Sequence, residues 1–509
     1  MMSRSVLLAT VLLLTAACAV GPNYKRPSVP VPPAYKEPAH AAADTSQWKT
    51  AEPQDEASRG KWWTAYGDPQ LDALEEQVSV SNQTIAQAEA QYRAVRAAVR
   101  LARSDFFPTV AVGASATRSS GVASRSSAPT SSAPPTVTNY QLPLEASWEP
   151  DLFGRVRRSA ESSVASAQAS AADLESVRLA MHAQLATLYF TLRGLDTQRQ
   201  LLDSTVAAYA TALQITTNRY QQGVVSGVDV AQARAQLETT RAQAIDLGVA
   251  RAQVEHAVAI LVGKAPADFA LAPEAMHDAP PETPLALPSE LLERRPDVAA
   301  AERRVAAANA QIGVAKAAFF PSLTLSATGG YQSSTLASFF SLPNRFWSLG
   351  SALAETLFSG GRRRAVSAQA RASYDAAVAA YRESVLDAFG EVEDNLAALR
   401  ILAEEVQQQT QAVDATNRLL TLAKNRYQSG VTSYLEVMTA QSAALANDRT
   451  AVDLLTRRMI ASVSLVKALG GGWRASDLPY GGVPMAQSAA APPARPVPDR
   501  STVAAPANP

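Results

Sequence analysis

From position 155 to 222 the chain has no proline and one glycine, Gly194. Its apolar residues Met181, Leu185, Leu188, Leu192, Leu195, Leu202, Val206, Tyr209, Leu213 and Tyr220 fall mostly three or four apart. That spacing predicts a helix with a continuous apolar seam. At 1.5 Å per residue, about 65 residues of helix reach roughly 100 Å, several times a domain diameter. A second seam repeats it with Val392, Leu399, Leu402, Val406, Val413, Leu420 and Tyr427. Shorter helical patterns cover 71–103, 228–262, 297–316 and 435–469. Their faces are crowded with alanine, which lets helices approach closely and predicts a wall of helices instead of a thick core. Gly223 and Gly430 stand where the two long helices should end, each followed within six residues by a new helical pattern. Both read as C-terminal caps of tight helical hairpins.

Between the helical runs the period changes to two, over 108–117, 140–148, 321–329 and 346–356. Apolar residues alternate with small or polar ones, as Val110 and Val112 do against Thr109 and Ala111. Each segment approaches the roughly 9–11 residues that a tilted strand needs to cross a bilayer. Phe106, Phe107, Trp148, Phe319, Phe320, Phe346 and Trp347 lie near strand ends, where an aromatic girdle belongs. Four strands cannot close a barrel, since about eight is the smallest number that does, and an open edge in hydrocarbon leaves backbone groups unpaired. Three copies would supply a 12-stranded barrel.

The pattern occurs twice. Phe106-Phe107-Pro108 returns as Phe319-Phe320-Pro321 after 213 positions, and Asn218-Arg219-Tyr220-Gln221 returns as Asn425-Arg426-Tyr427-Gln428 after 207. Six residues are therefore missing from the second copy between these motifs. The run 119–138, rich in Ser, Ala and Pro, reads as the exposed loop that accommodates the difference.

The N-terminus has one early cation, Arg4, an apolar run from Val6 to Leu14 and small residues before Cys18, the pattern of an export signal. The run is too short to span a bilayer as a helix. Cys18 is the single cysteine, so no intrachain disulfide can form. The segments 21–38 and 486–509 are rich in proline without periodicity and read as extended or unstructured. The resulting division is a signal peptide over 1–17, an extended N-terminal segment over 18–68, a first repeat over 69–270, a linker over 271–296, a second repeat over 297–475 and a tail over 476–509. Forty-six basic residues balance 46 acidic ones, which leaves no net field to attract nucleic acid.

Several motifs resemble the outer-membrane factor family, the TolC-like channels, and within it the lipoproteins of resistance-nodulation-division efflux pumps (the NodT type). They are Cys18 to Pro27, Trp62-Trp63 before Asp68-Pro69, Asp151-Leu152-Phe153-Gly154, Arg294-Arg295-Pro296-Asp297, Phe358-Ser359-Gly360-Gly361 and Leu469-Gly470-Gly471-Gly472-Trp473. The resemblance implies an all-α fold with a membrane β-barrel contribution: a homotrimer whose 12-stranded outer-membrane barrel continues as a 12-helix periplasmic tunnel. On the same ground Cys18, whose surroundings resemble a lipobox apart from Thr15, becomes an acylated anchor in outer-membrane lipid. The hairpin tips carrying Arg219, Tyr220 and Gly223, and Arg426, Tyr427 and Gly430, dock a periplasmic adaptor (membrane fusion) protein and an inner-membrane efflux pump. Asp229, Glu436 and Thr439 lie at the periplasmic aperture, Thr439 where relatives commonly carry Asp. The implied function is a passive exit duct for small toxic compounds. A channel for secreted polypeptides and a pore-less periplasm-spanning coiled coil are the alternatives, and Asp229 and Glu436 also suit plain helix capping.

No cofactor and no metal are expected. His40, His182, His256 and His277 stand without His, Cys or carboxylate partners at metal-ligand spacing. Gly470-Gly471-Gly472 lacks the Lys-Ser/Thr of a phosphate loop. Arg362-Arg363-Arg364 reads as a solvated collar at the membrane boundary, with lipid phosphate the other candidate. No Ser/His/Asp constellation supports an enzyme.

Overall fold

The computed structural model describes residues 20–32, 35–37, 61–120, 136–276, 280–281 and 294–472. Cys18, Trp473, His40 and His277 lie outside them, as do the signal and the tail. Seven α-helices and five strands follow in order: α1 Pro69–Ser81, α2 Gln83–Ser104, β1 Thr109–Val112, β2 Ser115–Ser120, β3 Thr136–Trp148, α3 Arg155–Gln221, α4 Gly227–Leu261, α5 Pro296–Ala317, β4 Ser322–Ser333, β5 Arg345–Ala354, α6 Arg362–Gln428 and α7 Tyr434–Ala468. The two long helices, α3 and α6, are each 67 residues; α4 and α7 are each 35, and α2 and α5 each 22.

Two expected elements are divided, so among the described residues seven helices and five strands stand where six and four were expected. The helix expected over 71–103 breaks at Asn82. Its backbone is extended there (ψ 123°), and its carboxamide oxygen accepts from the Thr84 and Ile85 amides, capping α2. The Asn82 Nδ2 group donates to the Leu261 carbonyl at 2.8 Å, so the break is fastened to the end of α4. The first expected strand divides into β1 and β2 without losing register, because Gly113 falls opposite Pro143, which has no N–H to return to the ladder. Strand structure also reaches through Ser120 and resumes at Thr136, which shortens the loop expected over 119–138 at both ends.

The core lies between helices. Leu185, Tyr189, Phe190 and Leu192 of α3 pack with Leu71, Leu74 and Val78 of α1 and with Trp62, Trp63 and Tyr66 of a 3-10 turn. Asp68 caps α1 by accepting from the Gln70 and Leu71 amides. A second cluster joins Val298 and Val305 of α5 to Tyr381, Val385 and Val392 of α6 and Leu465 of α7. There Arg295, buried, pairs with Asp297 at 2.6 Å and Glu391 at 2.7 Å and donates to the Ala468 carbonyl, so one guanidinium ties three helices together. Gly194, the single glycine of α3, faces Thr456 of α7. A Cβ there would lie 2.4 Å from Thr456 Oγ1, so these helices approach more closely than alanine would allow.

The extended N-terminal segment is a strap. The Val20 amide donates to the Phe153 carbonyl, where the Phe153 ring stacks on Phe320 near the foot of the sheet. From there Asn309 donates to the Pro22 carbonyl, Arg158 to Asn23, Tyr24 to Glu302, and Arg26 to Tyr381. Farther along, the Lys36 and Glu37 amides donate to Glu393, and Arg400 pairs with Glu37 at 2.8 Å. The contacts on α6 advance from Tyr381 to Arg400, so this part of the strap follows roughly 28 Å of helix.

Candidate functional site: a two-faced sheet and two helical tips

The strands form one antiparallel sheet in which β1 and β2 pair with β3, β3 with β4 and β4 with β5. Register sorts its residues into two faces. Val110, Val112, Leu144, Trp148, Leu323, Leu325, Trp347, Leu349 and Leu353 share one. Thr109, Glu145, Ser147, Ser322, Thr324, Ser326, Thr328, Gln332 and Ser348 share the other. The apolar face is uncovered in the single chain: Val112 is 72% and Leu349 74% exposed. From Leu323 to Tyr331 the apolar row spans about 27 Å along the strand, near the height of the hydrocarbon band around a membrane barrel. Among the described residues β5 pairs only with β4, and β1 and β2 only with β3, so both sheet edges are open.

Aromatic residues gather at both ends of that face. Trp148 stands at one end, its indole N–H donating to the Phe106 carbonyl, and Phe107, Phe319 and Phe320 immediately precede β1 and β4, which begin at that end. Tyr140, Tyr331 and Trp347 stand at the other. Phe346 is the exception among the expected girdle residues, because its register position, opposite Gly330, puts it on the polar face. Arg363 lies over the Phe319 ring at 5.4 Å, which attaches the arginine run to the aromatic belt.

At the opposite end of the molecule, α3 and α6 finish identically. Gly223 and Gly430 both have φ near +76°. The Gly223 amide donates to the Tyr220 carbonyl and that of Val224 to Arg219, and Gly430 and Val431 repeat this on Tyr427 and Arg426. These are Schellman caps, which need the left-handed conformation that glycine adopts at little cost.

The equivalent side chains differ. Arg219 reaches across to the second hairpin, donates to the Tyr427 carbonyl at 2.8 Å and lies 4.6 Å over the Tyr427 ring. Arg426 stays within its own hairpin and pairs with Glu436 at 2.9 Å. Tyr220 is 51% exposed, whereas Tyr427 is 6% exposed and meets the buried Tyr434 edge-on. Asp229 accepts from the Ser226 amide in a capping box. Glu436 also accepts from the Thr432 hydroxyl, and Thr439 donates to the Leu435 carbonyl on its own helix. The structure thus joins Arg219 to Tyr427 and Arg426 to Glu436, and occupies Asp229 and Thr439 locally.

Sequence reasoning missed Tyr434. The signal was available, because Tyr434 occupies the place of Gly227 in the first copy, and an aromatic replacing a glycine at one tip marks the hairpin that gains a core. It also gave no sign of the partner of His182, which is packed in the core: Nδ1 lies 2.6 Å from Glu75 Oε2, and the ring stacks on Trp63 at 4.6 Å. The two are 107 positions apart, beyond any spacing rule. Among the described residues no group of three His, Cys, Asp or Glu is placed to hold a metal, and no helix is long and apolar enough to cross a membrane.

The signature of the family described as "Outer membrane efflux protein" matches residues 74–264 and 287–471, most of both halves. The chain is 32% identical over 472 residues to outer membrane protein OprJ of Pseudomonas aeruginosa, covering 91% of this chain and 94% of that one. It is likewise 32% identical over 476 residues to the toluene efflux pump outer membrane protein TtgC of Pseudomonas putida, covering 93% and 96%. The solved outer-membrane channel OprN superposes with a TM-score of 0.79 at 29% identity, covering 90% of this chain and all of that one. The chain belongs to the outer membrane efflux protein family and is a protein of the outer membrane.

Proposed function

We propose that three copies of this chain form a passive duct, in which the sheets close a 12-stranded barrel and the helices continue it as a 12-helix periplasmic tunnel. One observation carries the reading: a sheet with an apolar face, a hydroxyl-lined face and two open edges, which lipid tolerates only if other copies pair with those edges. The long helices support it. Twenty-five residues of α3 are buried but only nine of α6, whose Leu386, Ile401 and Leu422 stay exposed and suit a neighbouring copy. The two repeats, 69–270 and 297–475, would then alternate around the axis, with 18–68 as the segment that leads from the lipid anchor into the first of them. Relatives named for antibiotic and toluene efflux favour small toxic organic compounds as cargo over secreted polypeptides. A duct has no chemistry of its own, so the reading includes no enzyme activity and leaves pumping to an inner-membrane pump and an adaptor that meet the tips at Arg219, Tyr220, Gly223, Arg426, Tyr427 and Gly430.

Cys18 would be the acylated first residue. Val20, two positions on, is held beside the aromatic belt, which suits a lipid entering the membrane there. Glu436, with Thr439 one turn on and Asp229 in the other hairpin, would set the charge of the narrow aperture. The test is direct: purified protein should have the mass of three chains in detergent and conduct ions in planar bilayers. A monodisperse monomer, or a trimer that never conducts, would remove the duct and leave the pore-less coiled coil.

A further inference from the structure

Among the described residues the polar face of the sheet carries one charge. Glu145 stands within β3, with Ala111 of β1 opposite it on one side and Thr328 of β4 on the other; Ser348 of β5 follows Thr328. Among the described residues no other ionisable side chain has a register position on that face. Arg118 and Arg345 fall in the other row, toward the far ends of their strands. The next carboxylate, Glu149, just past the end of β3, is engaged by Arg155 through bonds of 3.0 and 2.9 Å. Glu145 is exposed and takes part in no ion pair among the described residues, so none of them offsets its charge. Its neighbours are hydroxyls and a methyl, a surface suited to water and not to lipid.

We propose that Glu145 sets the charge preference of the duct inside the membrane. The inference rests on the barrel reading above: three copies would hold three uncompensated carboxylates at one height on the lumen wall. Fixed charges of one sign on a low-dielectric wall enrich counter-ions and deplete co-ions next to it. The screening length is about 8–10 Å at 0.10–0.15 M salt, so the field covers the layer along the wall and the preference is graded, not absolute. Cationic and zwitterionic compounds leave along this wall more readily than anionic ones. The residue differs in role from Glu436, which lies at the other end of the molecule and is paired with Arg426.

Thr328→Cys places a thiol directly across from Glu145, where paired Cβ atoms lie about 5 Å apart. The reconstituted full-length trimer in vesicles is treated from outside with methanethiosulfonates of equal size bearing an ammonium or a sulfonate, and the unsubstituted chain serves as the blank for Cys18. The ammonium reagent should react faster, and Glu145→Gln should reduce the ratio of the two rates by about 3–10-fold at 0.1 M salt and far less at 1 M. Glu145→Asp should keep the ratio, and Leu349→Cys on the apolar face should resist both reagents. A ratio unmoved by Glu145→Gln, with Thr328→Cys reactive and Leu349→Cys protected, overturns the role of Glu145 and leaves the barrel standing. A protected Thr328→Cys or a reactive Leu349→Cys overturns the assignment of faces and the barrel with it.

Discussion

Burial decides how Glu75 and His182 share their proton. Burial pushes the Glu75 carboxyl up to about 9, with Asp72 adding to it, while burial and then Arg178 push His182 down to about 4. Both groups are therefore neutral at pH 7, with one proton in the short bond between them, and the Ser79 hydroxyl lies 3.3 Å from the far ring nitrogen. The signs with pH are opposite. Glu75, raised, contributes stability that is complete below about 4.5 and lost as pH rises toward 9; His182, depressed, contributes stability that is complete above about 6.5 and lost as pH falls toward 4. Thermal melting of Glu75→Gln against the unsubstituted protein should show the variant gaining relative stability from pH 5 to 9, and His182→Gln should gain from pH 6.5 to 4. Parallel melting curves across both ranges would mean that the pair is solvated after all. The proposed aperture makes a second residue-scale prediction: Glu436→Gln should change single-channel conductance and cation preference, and Asp229→Asn should change them less. Unaltered conductance in the double substitution, with the trimer intact, would leave both residues as helix caps. The Arg426–Glu436 pair is largely exposed, so its loss should cost no more than about 1 kcal/mol of stability.

Elements were the most legible level of this chain. The boundaries of α3, α4, α5 and α7 fall within a residue of the positions read from periodicity, and α6 ends, as α3 does, two residues before its capping glycine, because proline, glycine caps and an unbroken apolar seam all agree there. What escaped was set by partners distant in sequence. Asn82 looks like an ordinary helix residue until Leu261 is beside it, and Gly113 looks like part of a strand until Pro143 stands opposite. The strap is proline-rich and reads as unstructured, since its order comes from Glu302, Tyr381 and Glu393, hundreds of positions away. Helix packing yields a prediction at this scale. Gly194→Ala gains helix propensity of about 1 kcal/mol but meets Thr456, and overpacking costs about 1–3 kcal/mol. The single variant should therefore melt at or below the unsubstituted protein, and Gly194→Ala with Thr456→Ala should recover more than the sum of the separate effects. Additive effects would show that α3 and α7 are free to separate at that level.

The proposed assembly would cover surfaces that one chain leaves open, and the proposed anchor at Cys18 should be separable from it. Replacing Cys18 with Ser should abolish incorporation of labelled fatty acid while the trimer still inserts, because sheet pairing does not involve the lipid. Labelling that persists in Cys18→Ser would place the acyl chain on a residue other than Cys18. The matched helix lengths reach further than assembly. Fifty residues separate α2 from α3 and 44 separate α5 from α6, so the two copies differ by six residues there and by none within these helices. Each copy is the ruler against which the other is held. One residue added to a long helix would lift its tip by about 1.5 Å and turn it by roughly 100°, setting the tips at unequal heights and swinging Arg219 away from Tyr427. Since the duplication, insertions and deletions have been free to accumulate in the strand connections but not along the shafts, and a scan of single-codon insertions should reproduce that division, tolerant between elements and lethal to export within them.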